Sequence, residues 1–404
     1  MQDTSTIGDR LRRARRERGL SQSGLAERSG ISQRFIAKIE QGNGQPSLPN
    51  VYALANALGM EPSRLLDKQE QFTGSAQHHG ILALRDAVLT TGDLPGLGDD
   101  NAAQGQSVPL AALERGVSKG WDLYWAGRFG ELAGHLPPLI FAARAAEKEQ
   151  GGAVSRPLAQ AYQLAADLFV HVGSDDLAFA VTRRALRAAH RGSDPLQYAT
   201  LAGTLSWVSL HQGRLEDAER VARVAAANIT PAGKALMKNL TVYGALLLSA
   251  AAPAAAAGKT EAARAYLAEA QLTALRYTQG DRHDYEVSFG PTQVAMQACH
   301  VNSVLREPAV ALRAARRVHR DDLRPISWGA LNLDIGRANL DKGHRYVPEA
   351  VDALLEALDV SEEWARHQGL WRDSVAAAVH ADRRRSAQTH KLAVAAGLRL
   401  NVSD

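Results

Sequence analysis

Three residues of one short stretch, Gln33, Arg34 and Lys38, carry the donors and acceptors that read base edges. Gln pairs bidentately with adenine and Arg with guanine, while Lys serves a base or a phosphate. On a helix the three project from one side, opposite Ile36 and Ile39. A second group lies farther along: Trp121, Trp125, Asp167, His171, Trp207 and His211, then Gln297 and His300. Aromatic, His and Asp side chains arrayed on one surface make a wall for a ligand. Taken singly, each also suits a packed core. The stretch DRHDYEVSFGP, with His283, Asp284 and Tyr285, is another ligand candidate, on a long loop between helices.

Other chemistries lack their residues. HExxH, GxSxG, paired Cys ligands and a complete phosphate loop are absent from the sequence. Gly258-Lys259-Thr260 ends like a phosphate loop, but Pro253 stands where its first Gly belongs. His78 and His79 are adjacent on a polar segment, a poor preorganised metal site. The reading is therefore no enzyme, no metal and no cofactor. Cys299 is alone, so no disulfide forms within the chain, as suits a reducing cytoplasm.

The elements that position the base-reading group are legible. Ile7, Leu11 and Ala14 mark one face of a first helix ending at Gly19. Ser21 is placed to cap a second helix and Ser32 a third, with a tight turn at Gly30 and Ile31 between them. Ala26 is small enough for the third helix to cross closely. Ser47 precedes a fourth amphipathic helix carrying Leu48, Val51, Leu54, Ala55 and Leu58, and a short fifth helix runs from Glu61 to Leu66. Two short helices joined at Gly30 have the spacing of a helix-turn-helix, whose second helix enters the major groove.

The segment QSGLAERSGISQRFIAKIE and its flanks, Ile7 to Leu66, resemble the Xre (Cro/repressor) helix-turn-helix family. The resemblance implies a five-helix lambda-repressor-like domain over residues 1–67. It implies phosphate contacts by Gln22, Ser32 and Gln41, with Gln33, Arg34 and Lys38 facing the groove. Arg15 and Glu40 match a pair that forms an internal salt bridge in this family, which removes Arg15 from the DNA contacts. Homodimerisation on a double-stranded operator is expected from the family.

Charge agrees with a nucleic-acid partner. Nine of the Arg and Lys residues lie between Met1 and Lys38, against four acids, whereas the whole chain carries only +4. The chain is rich in Ala, Leu and Arg, with 5% aromatics, and lacks extended Val, Ile and Thr runs, so an all-α fold with almost no sheet is expected. The apolar run Gly244–Ala257 is too short to span a bilayer and reads as a buried helix; no membrane association is expected. Residues 68–108 read as a linker interrupted by one short helix, Ile81 to Leu89.

From residue 109 to 404, long helices are broken by Gly-containing turns at Gly127, Gly173, Gly213, Gly258 and Gly343, with a degenerate copy, LREPAVA, at Leu305. A small residue follows five positions after several of these glycines (Ala178, Ala218, Ala263), which lets paired helices pack closely. The pattern resembles tetratricopeptide-type repeats, an α-solenoid of helical hairpins. That register turns residues six and two before each Gly inward: the Trp, His and Asp group above, Ala252 and Ala256 beside a hollow, and Arg337 with Asp341 in the last unit. The function expected is a cytoplasmic, sequence-specific transcriptional regulator. Its repeat domain dimerises and takes a small-molecule or peptide effector. The alternative is a scaffold that recruits a protein partner to DNA.

Overall fold

The computed structural model describes residues 6–42, 44, 46, 48–60, 62–65, 75–89, 106–231, 236–277, 280–382 and 386–398. The fold is all-α apart from one two-stranded hairpin among these residues. Five helices form the N-terminal module: α1 (Ile7–Glu17), α2 (Gln22–Ser29), α3 (Gln33–Glu40), α4 (Leu48–Ala57) and α5 (Pro62–Leu65). They are followed by α6 (Ser75–Val88). This helix begins earlier than the sequence suggests, and Ile81, Leu84 and Val88 press a continuous apolar stripe onto the body that follows. The side chains of His78 and His79, the Gly- and Asp-rich stretch at 90–105 and Arg383–Arg385 lie outside the described residues.

The body is a series of antiparallel helix pairs: α7 (Leu110–Trp125) with α8 (Phe129–Gln150), α9 (Ser155–His171) with α10 (Asp175–Gly192), and α11 (Pro195–His211) with α12 (Leu215–Asn228). Next come α13 (Met237–Ala256) with α14 (Thr260–Ala274), α15 (Pro291–Val304) with α16 (Pro308–Ala315), and α17 (Pro325–Lys342) with α18 (Val347–Val360). The chain ends in α19 (Glu362–His367), α20 (Gly369–Ala381) and α21 (Ala387–Ala395).

One turn recurs in five of these pairs. The residue after the turn donates its N–H to a carbonyl five positions back: Arg128 to Leu123, Ser174 to Phe169, Arg214 to Ser209, Lys259 to Ala254 and Glu307 to Asn302, at 2.8–3.0 Å. This Schellman closure needs a left-handed residue. Gly127, Gly173, Gly213 and Gly258 supply it with φ of 69 to 77°. In the fifth pair the position is held by Arg306 at φ 60°. Five residues beyond, Ala178, Ala218, Ala263 and Ala311 are fully buried where the paired helices meet.

One feature departs from the sequence reading and another extends it. Asp281 to Pro291 is a β-hairpin, β1 (Arg282–Asp284) against β2 (Val287–Phe289), rather than a loop. Its two-residue turn places Tyr285 and Glu286 at positive φ without the Asn or Gly that usually signals it. Phe289 is buried against Gly244, where a Cβ would stand 2.2 Å from the ring. Helix α13 is long and apolar enough to cross a membrane, yet 83% of that stretch is covered by its neighbours, so it is a core helix here.

The repeats also close on themselves. The start of α17 and the α19–α20 segment meet the first pair: Ser361 Oγ donates to the Gly127 carbonyl at 2.9 Å, and the Gly130 N–H donates to Glu363 at 2.6 Å. The Arg324 guanidinium lies 5.1 Å from the centre of the Trp125 ring. First and last repeats therefore share one apolar core.

Candidate nucleic-acid interface

Local signals build the helix-turn-helix. Thr6 and Asp9 form a reciprocal capping box on α1. Ser21 Oγ accepts from the Gly24 N–H at 2.9 Å, and Ser32 Oγ accepts from the Phe35 N–H at 3.3 Å. Gly30 ends α2 at φ 70°. Leu11, Leu25, Ile36, Ile39, Val51, Leu54 and Leu58 make a core with almost no exposed area. Burying these side chains contributes on the order of 1.5–3 kcal/mol each. Gly8 is where α1 and α3 touch: a Cβ there would stand 2.1 Å from the Ile39 carbonyl oxygen. The sequence held no spacing rule that marked Gly8 as a contact.

A buried ion pair locks α3 to α1. Arg15 Nε donates to Glu40 Oε1 at 2.6 Å and Arg15 Nη2 to Oε2 at 2.9 Å, a bidentate fork. Arg15 Nη1 also holds the Leu20 carbonyl at 2.7 Å, and Arg12 donates to the Glu40 backbone carbonyl. Burial alone would raise the Glu40 pKa; hydrogen bonds from Arg15 and then Gln22 overcome it and hold the carboxyl below its ordinary value. The hydrogen bond to Glu40 raises Arg15 in turn.

Gln33, Arg34 and Lys38 are exposed on the side of α3 away from Ile36 and Ile39, and none has a hydrogen-bond partner among the described residues. Ser32 and Gln41 sit exposed at the two ends of α3. Gln22 Nε2 donates to Glu40 Oε2 at 2.8 Å and braces the ion pair. Arg18 is turned onto the Ala14 and Gly59 carbonyls.

Helix α3 has a third face. Phe35 is half-buried with Arg306 of the repeat body 5.8 Å from its ring centre. The same body meets the module twice more. Tyr52 and Pro62 lie against Gly213, where a Cβ would stand 3.3 and 3.0 Å from them, and Arg10 pairs with Asp373 at 3.4 Å. Leu210, Val301 and Val304 join the module's apolar core. Ala252 and Ala256 are buried in that cluster too, so they fill the space where the sequence reading placed a hollow.

The inward group of the repeats divides in two. Trp121 stacks on Trp125 at 6.2 Å, His171 lies 5.4 Å from Trp207, and Trp207 meets His211 edge-on at 5.1 Å. His171 has a hydrogen-bond partner at each ring nitrogen. Gln368 Nε2 donates to Nδ1 at 3.1 Å, so the neutral ring carries its hydrogen on Nε2, 3.2 Å from the Tyr124 hydroxyl. Trp121 Nε1, Trp125 Nε1 and Asp167 Oδ1 are buried with no hydrogen-bond partner among the described residues. Burial pushes the Asp167 carboxyl up to about 8. Gln297 and His300 stand with other partners: Gln297 Nε2 donates to the Leu248 carbonyl at 3.2 Å, and His300 Nδ1 meets Asp334 Oδ2 at 3.0 Å.

Comparison with known proteins places the module. The helix-turn-helix family matches residues 11–65. The immunity repressor of Bacillus phage phi105 is 38% identical over 85 residues, 20% of this chain, and the match spans 59% of the repressor's length. An uncharacterized HTH-type transcriptional regulator of Sinorhizobium fredii is 35% identical over 65 residues, 16% of this chain and 84% of that protein. Another from Methanothermobacter thermautotrophicus is 43% identical over 51 residues, 13% of this chain and 74% of that protein. Among solved structures, Bacillus thuringiensis PlcR in complex with the peptide PapR7 and DNA aligns over 90% of this chain and 98% of its own. The identity is 14% and the TM-score 0.33, too loose a superposition to assign any residue a role. With its capped recognition helix, its locked ion pair and these relatives, the chain belongs to the HTH-type, DNA-binding transcriptional regulators.

Proposed function

We propose that the chain binds a specific operator as a homodimer through Gln33, Arg34 and Lys38, and that an effector held by the repeat domain controls this binding. The supporting observation is the polar face of α3. Three side chains with base-reading chemistry are exposed together without a partner among the described residues, on a helix whose other sides are fixed by the core, by Glu40 and by the repeat body. Arg34 is the principal base contact, suited to guanine; Lys38 serves a base or a phosphate. Ser32 and Gln41, at the two ends of α3, contact phosphates, and Gln22 joins them through the part of its amide not held by Glu40.

Control of binding follows from linkage. A ligand that favours one curvature of the repeats shifts the population of that state. The module rests on the repeats at Gly213, Arg306 and Asp373, so a change in curvature alters the placement of α3. Half-sites for such dimers lie about 34 Å apart or a multiple of it, so placement decides affinity. Selection of bound sequences from a random DNA pool tests the reading. The Gln33→Ala, Arg34→Ala double variant should lose sequence preference while keeping the wild-type helical signal. Unchanged selectivity would remove α3 as the reading element.

A further inference from the structure

The repeat interior holds an arginine that makes no direct ion pair among the described residues. Arg337 lies on α17, six residues before Gly343, in the same inward register as Trp121, Asp167 and Trp207. It is 6% exposed, and no hydrogen bond or ion pair reaches its guanidinium among the described residues. Its guanidinium nitrogens are not sealed off from the surrounding space, and the protein leaves their five N–H donors unused among the described residues.

The nearby carboxylates are already engaged. Asp334 is held by His300 at 3.0 Å, Asp341 by Arg306 at 3.4 Å and Asp373 by Arg10 at 3.4 Å. His300 is oriented by that contact. A carboxylate only accepts, so Nδ1 carries the hydrogen toward Asp334, and Nε2 is left with no partner among the described residues. Arg337 acts on His300, and Asp334 acts on both, raising each. Asp341 and Asp373 attract Arg337 as well, but none of the three carboxylates is hydrogen-bonded to it. The fork is thus balanced at a distance and unoccupied at contact, and a guanidinium fork matches the planar or tetrahedral oxygens of an oxyanion.

We propose that Arg337 and His300 form an oxyanion-binding site in the repeat interior, which takes the carboxylate or phosphate group of a small ligand. Arg337 provides the fork, and protonated His300 donates through Nε2. The site deepens the effector reading above and rests on the same inward register.

The test uses the full chain and two probes, sodium acetate and inorganic phosphate, at ionic strength matched with chloride. Melting temperature is followed against probe concentration. A saturable rise with either probe is expected, and the probe that gives it separates the carboxylate source from the phosphate source. Arg337→Gln should weaken that binding at least about tenfold, as loss of a charged hydrogen-bond partner does. His300→Gln should weaken it less. Without probe, Arg337→Gln should keep the wild-type helical signal, so that lost binding is not lost folding. A rise that never saturates, or a rise equal in Arg337→Gln, would overturn the site. Operator affinity is read in the same samples. Arg337-dependent probe binding with unchanged operator affinity keeps the site and removes the effector reading. Altered operator affinity without Arg337-dependent binding does the reverse.

Discussion

The two domains bury charge in opposite ways. In the DNA-binding module, Glu40 receives Arg15 through two hydrogen bonds and Gln22 through a third, and Arg15 spends a further donor on Leu20. In the repeat body, Arg337 lacks any ion-pair or hydrogen-bond partner among the described residues, and Asp167 has an oxygen in the same condition. The first arrangement fixes geometry: a fully satisfied pair leaves α3 one position relative to α1. The second leaves capacity, because polar groups to which the chain makes no hydrogen bond gain from a partner brought to them.

The comparison is broken most directly at Glu40. Glu40→Ala leaves Arg15 buried without its carboxylate and should cost about 3–5 kcal/mol. Urea unfolding of the module's helical signal measures this, and a cost under about 1 kcal/mol would mean that the pair is not the lock described. Operator binding should fall with the lost stability.

The two buried carboxyls also predict opposite pH responses. The folded Glu40 pKa is lowered, so its contribution is complete above the ordinary Glu range and is lost as pH falls through the folded value. Asp167 is raised to about 8, so the folded chain keeps a proton that the unfolded chain releases. Its effect is a decline in stability as pH rises from about 4, the ordinary Asp value, toward 8. Asp167→Asn should flatten that alkaline decline while leaving the acid-side loss in place. Urea midpoints from pH 4 to 9 would show it; an unchanged alkaline slope would place Asp167 in a wetter site.

The smallest effect is expected at Arg306, the fifth turn. Four equivalent turns use Gly at positive φ, and Arg306 accepts the strain of the same conformation. Arg306→Gly should regain about 1 kcal/mol of strain and lose both the Phe35 contact, worth about 0.5–1 kcal/mol, and the half-exposed Asp341 pair, worth about 0–1 kcal/mol. Net stability should stay within about 1 kcal/mol of wild type, while amide exchange in α3 becomes faster. Unchanged exchange would show that Phe35 is not steadied from the repeat side.

Much of the DNA-binding module was legible because its signals are local. Ser21, Gly30 and Ser32 act on backbone groups within four residues of themselves, and Ile36 with Ile39 display a helix face directly. The glycine turns were legible for the same reason. The hairpin at Tyr285 and Glu286 was not, since neither residue announces positive φ. His171 has an inward register that its sequence shows, but nothing local shows that Tyr124 and Gln368 partner its two ring nitrogens. Ala252 and Ala256 looked like an open wall because their small size was visible and the packing of the module's neighbouring helices was not.

The sequence by itself determined the helices, their caps, the repeated turn and the set of side chains able to read DNA. Each follows from propensity, spacing or backbone stereochemistry over a few residues. Only the tertiary structure decided that the repeats close from Ser361 onto Gly127, that the module rests on Gly213 and Arg306, and that Arg10 finds Asp373 across 363 positions of chain. It also decided which inward polar groups are satisfied and which are not. Burial and hydrogen-bond partnership depend on what distant segments bring to the same place, and that is set by the packing of the whole chain.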